Sequence, residues 1–222
     1  MPTTSDRSLK ARNFGWLVGV ATADAAVLTL FVAPGLVGAA TATQLGTYRA
    51  MASVLLPVLI LLLTNILPSG AKASLVYWKL RDVLPGANAF TRHGPRDPRV
   101  DMVRLKKNVG TLPADPKEQN AKWYRLYKLV EARVEVMSAQ RDFLLYRDIA
   151  SMSLLLMVLG PVVMHFAGNG GFAVSSAAGL FLVQYLAASV SARHAGIRFV
   201  CTVLALHATE KVGPRVPKGP VA

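Results

Sequence analysis

Only one cysteine, Cys201, occurs in 222 residues, so no internal disulfide can staple this fold. A lone thiol is also what a reducing compartment allows, though by itself it is weak evidence of one. Acidic residues are scarce, 12 against 25 Lys and Arg, and the net charge of +13 points to anionic surroundings. The sequence has no HExxH, CxxC, GxSxG, P-loop or GxGxxG pattern, so no familiar metal, redox, acyl-transfer or nucleotide signature directs the reading. Its four histidines, His93, His165, His194 and His207, are scattered, and no pair has the spacing of metal ligands on one helix face. No catalytic residue, metal ligand or cofactor is expected from these patterns.

The most telling scarcity is of charge in particular places. Four stretches, Phe14–Ala33, Ala50–Leu67, Ile149–Ala167 and Phe172–Ala192, carry a single formally charged side chain, Asp24. Each approaches the ~20 residues that a helix needs to cross a ~30 Å hydrocarbon core. With 53% hydrophobic residues gathered in such blocks, the chain reads as an all-α, polytopic membrane protein. Four transmembrane helices form two hairpins, with a helical cytoplasmic module between the second and third.

The cations fix the expected orientation. Three lie in the N-terminal arm, 16 in the connector 68–148 and five in the tail, together 24 of the 25. Arg49 alone falls on the other side. The positive-inside rule then places both termini and the connector in the cytoplasm, and the protein in a bacterial-type inner membrane. The expected divisions are an arm, 1–13, a first hairpin, 14–67, a basic helical module, 68–148, a second hairpin, 149–192, and a cytoplasmic helix with a disordered tail, 193–222. The arm is expected to be disordered as well. A rival reading takes the basic arm, the first apolar run and Ala40-Thr41-Ala42 as a cleaved secretory signal, but that run is longer than the usual ~7–15 residues and contains Asp24.

Within the first span, Gly15, Gly19 and Ala23 recur every fourth residue, a face on which helix backbones approach closely. It suits packing within the chain or a homo-oligomer. Asp24 must face other helices or water, because an exposed carboxylate in lipid is costly. Asn65 and Gln184 are the candidate partners that would complete an intramembrane polar site, with Thr22 nearby. Pro57 and Gly160-Pro161 predict kinks.

In the connector, the stretch 71–83 is helical by propensity. It suits either the headgroup layer or a small core around Trp78. Asp97-Pro98 predicts a helix over 98–109 that stops at Gly110, and Asp115-Pro116 predicts the start of another. From Pro116 to Gly160 neither proline nor glycine intervenes, which predicts one helix over 116–159, wet at its start and apolar from Ile149. Trp123, Leu126, Tyr127, Val130, Val134, Met137, Leu144 and Leu145 would form its apolar stripe, widened by Leu129, Val136 and Phe143. Arg141, Asp142, Arg147 and Asp148 fall where this helix would meet anionic headgroups. The last span is expected to continue past Arg193 as a helix.

Three functional classes fit. The leading one is a non-enzymatic sensor, scaffold or effector whose basic module is coupled through a continuous helix to the spans, with a protein or small ligand as its partner. The alternatives are an ion or proton channel or small transporter using Asp24, and a membrane enzyme acting at headgroup level through Arg141–Asp148. Nucleic acid is the weaker partner, because an anionic bilayer accounts for the cations equally and the apolar stripe turns most aromatics inward.

Overall fold

A computed structural model describes residues 4–32, 58–79, 81–166 and 170–210. Among these, the regular structure is helical and no strand occurs. The helices are α1 (Thr4–Val32), α2 (Val58–Ile66), α3 (Ser69–Tyr77), α4 (Met102–Val109), α5 (Pro116–Val130), α6 (Val134–Phe166) and α7 (Gly171–Thr209). The expected connector 34–49, Pro57, the signal-like Ala40-Thr41-Ala42 and the tail beyond Glu210 lie outside the described residues.

Two helices are long and apolar enough to cross a membrane, Val134–His165 and Gly171–Thr209. Val58–Ile66 and Ser69–Tyr77 pass the same test only as a pair, and they are bent by 92° at their junction. The apolar part of α1, Asn13–Leu28, is shorter. These features make the chain membrane-associated.

The chain divides into two compact units, Met1–Trp78 with Leu144–Ala192, and Lys79–Phe143 with Arg193–Ala222. In the first, α1 buries Ala21, Ala25 and Leu28, a helical repeat, against Met152, Leu156 and Met164 of α6 and Ala177 and Phe181 of α7. Ile60 of α2 joins this cluster. Gly160 keeps the packing close, since a β-carbon there would stand 3.3 Å from Leu28 Cδ2. The helix α6 runs on through Pro161.

In the second unit, α5 buries Gln119, Trp123, Leu126, Tyr127 and Val130 on one face. Trp123 stacks on Tyr127 at 5.8 Å, and both meet Phe199 of α7 edge-on, at 5.1 and 5.3 Å. An irregular segment packs on α5: a 3-10 turn Pro85–Asn88, a π turn Ala89–His93 and a 3-10 turn Gly94–Arg96. Such mixed turns leave backbone N–H groups without helical acceptors. Gln119 takes up two of them, its Oε1 accepting from Phe90 N at 3.0 Å and Thr91 N at 3.3 Å. Gly86 lies so close that a β-carbon would reach 2.6 Å from Asn120 Oδ1 and 2.7 Å from the Trp123 ring.

Several expectations need correction. The arm is helical from Thr4 rather than disordered to Asn13, because a helix already nucleated by its apolar part extends at little cost through Leu9-Lys10-Ala11. The stretch 71–83 is shorter and earlier than expected. Its helix begins at Ser69 and ends at Trp78, which adopts a left-handed conformation, φ 52°. The helix expected over 98–109 begins only at Met102. Asp101 caps it, accepting from Val103 N and Arg104 N, while Asp97 binds Arg99 instead. Gly110 ends it with φ 78°, as expected, and Asp115 caps α5 above Pro116, also as expected.

The largest correction concerns the single helix over 116–159, which is broken at 131–133. Tyr127 Oη donates to Gln140 Oε1 at 3.1 Å, across 13 residues. In a straight helix those residues would be about 20 Å apart along the axis, so the chain folds back between them. No glycine or proline marks the break. Burial of Trp123 and Tyr127 against Phe199 outweighs the few backbone bonds that continuity would add. Of the expected stripe Val134 is 72% exposed, whereas Val136 and Phe143, expected to widen it, are buried together with Ala139.

Gln119→Leu keeps the volume and removes the acceptor. Stability of the second unit should fall by about 1–3 kcal/mol, the cost of stranding buried donors. Amide exchange at Phe90 and Thr91 should accelerate first in hydrogen-exchange mass spectrometry, ahead of α5 itself.

Candidate functional site

Two polar clusters stand out in the first unit. Asp24, 6% exposed on α1, accepts from Gln184 Nε2 of α7 through both oxygens, at 3.1 and 3.2 Å. This is one of the pairings expected for an intramembrane carboxylate. Asn65 is exposed on α2 and takes no part in it, and Thr22 is exposed. A carboxylate gripped on both oxygens by one amide is a cross-brace between helices.

The second cluster gathers at the polar end of the apolar run of α6. Asp148 Oδ1 accepts from Lys72 Nζ of α3 at 3.1 Å, and from Arg147 Nε at 3.2 Å and an Arg147 terminal nitrogen at 3.1 Å. Lys72 is 5% exposed. Close by, Trp78 Nε1 donates to Tyr185 Oη at 2.9 Å, and Tyr185 Oη donates to the Leu75 carbonyl at 2.8 Å. Val76 packs with Ala150, Tyr185, Ala188 and Ala192. Sequence reasoning named Arg147 and Asp148 and missed Lys72, Trp78 and Tyr185 as their neighbours. A lysine in the first turn of a nine-residue helix gives no sign that it will be buried.

Of the other expected interface charges, Asp142 accepts from Arg198 at 2.9 Å within the second unit, and Arg141 is half-buried there. The structure therefore places Asp142 in one pairing, with Arg198, and Arg147 and Asp148 in another, with Lys72. Gly15, Gly19 and Ala23 are exposed on α1, and a β-carbon at either glycine would meet no described atom within 4 Å.

In the second unit the polar groups serve the fold. His207 is buried, and its Nε2–H donates to the Leu126 carbonyl at 2.9 Å, which sets the tautomer. The Cys201 thiol, also buried, donates to the His93 carbonyl at 3.6 Å. The Arg99 guanidinium holds the Asp97 carboxyl down at about 2. His93 is pushed below its usual value, first by burial and then by Arg92, Arg96 and Lys79. Among the described residues no three of His, Cys, Asp and Glu stand close enough to hold a metal ion.

Two measurements test these assignments. Asp24→Asn keeps an acceptor for Gln184 and should melt close to the parent, whereas Asp24→Leu strands the amide and should cost about 1–3 kcal/mol. Equal losses in the two variants would remove the cross-brace. The His93 shift also has a sign. The unfolded chain takes up its proton near the ordinary histidine value of 6.5, before the folded chain does, so stability should fall as pH drops through and below that value. His93→Gln should flatten that part of the pH–stability curve.

No family model matches this chain, and neither a curated protein nor a solved structure matches it.

Proposed function

We propose that this chain is a non-enzymatic inner-membrane protein that acts as a sensor, scaffold or effector. Its four apolar stretches cross the bilayer as two hairpins, and both termini and the basic helical unit lie in the cytoplasm. The observation that carries this reading is continuity. Helix α6 passes without a break from Val136 and Phe143, core residues of the basic unit, to Leu156 and Met164, core residues of the apolar one. Helix α7 does the same between Phe181 and Phe199. A change in the basic unit can therefore be transmitted along two helices without crossing a loop. The coupling element is α6, 33 residues long, rather than the longer rod from Pro116.

Orientation rests on the distribution of 24 of the 25 cations, and an anionic bilayer is the partner that this charge favours. The channel and enzyme readings draw less support. Both Asp24 oxygens are engaged by Gln184, and Asp142 and Asp148 are each held by cations.

The test is a coupling cycle in lipid nanodiscs. Trp123→Ala loosens the basic unit by about 3–5 kcal/mol and should raise amide exchange over residues 144–156, in the other unit. Placing glycines at Met137 and Ser138 should abolish that effect, with a coupling energy of about 1–3 kcal/mol between the two changes. If Trp123→Ala leaves exchange over 144–156 unchanged, the units are not coupled and the sensor reading falls.

A further inference from the structure

We infer that α3 is an in-plane helix that lies in the phospholipid headgroup layer, with the Trp78 ring as its anchor. The inference rests on the membrane-spanning reading given above. It names an interaction surface and its partner, the headgroup and glycerol layer of a phospholipid bilayer.

The first observation is direction. Helix α3 turns 92° from α2 at Leu67-Pro68. If α2 runs along the membrane normal, α3 runs along the surface. The second observation is level. Lys72 meets Asp148, the last charge before the apolar run of α6. One turn further along α3, Val76 packs on Ala150, only two residues beyond Asp148, and on Ala188 and Ala192, where the apolar run of α7 ends. Both turns of α3 thus touch the same end of the apolar helices. A helix descending alongside α6 would instead have met residues progressively deeper in the apolar run.

The third observation is chemistry. The side of α3 turned away from this packing carries the exposed Gly70 and Trp78 and the half-exposed Ala71, Ser74 and Leu75, and Ser74 bonds back to Gly70 O. This mix of small, polar and aromatic residues suits the headgroup layer. At its end Trp78 is 55% exposed, yet its indole N–H is held by Tyr185 Oη. The ring is therefore held in orientation while much of it stays exposed. Tyr146, 37% exposed, lies two residues before Asp148 on α6. Trp and Tyr with one wet and one apolar end concentrate at this depth of a bilayer. The alternative for this stretch, Trp78 packed in a small core, is not what the structure shows.

Depth measured by spin labelling tests the inference in the full chain, in nanodiscs of three parts phosphatidylcholine to one part phosphatidylglycerol. Cys201 is 1% exposed, so cysteines introduced at exposed sites label selectively. Three sets of positions are labelled: Leu59, Leu62 and Ile66 on α2, Gly70 and Ser74 on α3, and Val158 on α6. Collisions with oxygen against a water-soluble nickel complex report the depth of each. The expected result is a graded depth along α2, about 10 Å from Leu59 to Ile66, and the same headgroup depth at Gly70 and Ser74. Val158 should be deep. Brominated lipid should quench the wild type more than Trp78→Phe when bromine is near the headgroup, and equally when it is at the chain terminus. A depth that keeps changing by about 6 Å from Gly70 to Ser74, with Val158 still deep, would overturn the in-plane helix alone. A water-accessible Val158 would overturn the spanning reading, and the inference with it.

Discussion

A polar side chain on an apolar helix needs a partner, and this requirement shapes the first unit. Lys72 is almost wholly buried, and Asp148 accepts from it at 3.1 Å. That contact ties the short α3 to the polar end of α6. Asp24 is subject to the same rule, and Gln184 answers it from α7. Around these two pairings the packing is made of small and flexible residues. Ala21, Ala25, Ala177 and Gly160 let the backbones approach, and Met152 and Met164 fill what remains.

The second unit is governed by backbone satisfaction. The segment from Pro85 to Arg96 uses three turns of two kinds in twelve residues, which leaves donors unmatched. One buried glutamine, Gln119, supplies the acceptor and also donates to the Ala114 carbonyl at 2.8 Å. The aromatic set of Trp123, Tyr127 and Phe199 then closes over it. Several of its carboxylates are taken up in ion pairs, Asp97 with Arg99, Glu131 with Lys128 and Asp142 with Arg198. Exposed pairs of this kind add little stability, and the excess of cations remains as a field for anionic surroundings.

The two units share α6 and α7, and that sharing is where structure meets the proposed role. Each helix carries a polar, specifically packed segment and an apolar one within a single hydrogen-bonded ladder. A helix resists bending between its ends far more than a loop does.

Local chemistry written into the sequence was legible because it acts over three or four residues. Asp115 before Pro116 starts α5, Gly110 ends α4, and the absence of charge from Ile149 onward makes the end of α6 apolar. The Asp24 partner was narrowed to a few residues by the same logic, since few polar groups are available in apolar stretches. The break at 131–133, the burial of Lys72 and the turn at Leu67-Pro68 that aligns α3 with Asp148 were decided by tertiary packing. The first two have no local signal, since the break lacks glycine and proline and Lys72 is one of 25 cations, whereas Leu67-Pro68-Ser69-Gly70 marks a stop whose direction alone was set by packing. Each arises because contacts between residues far apart in the chain, Tyr127 with Gln140, Trp123 with Phe199 and Lys72 with Asp148, outweigh the weaker preferences of the segments that carry them.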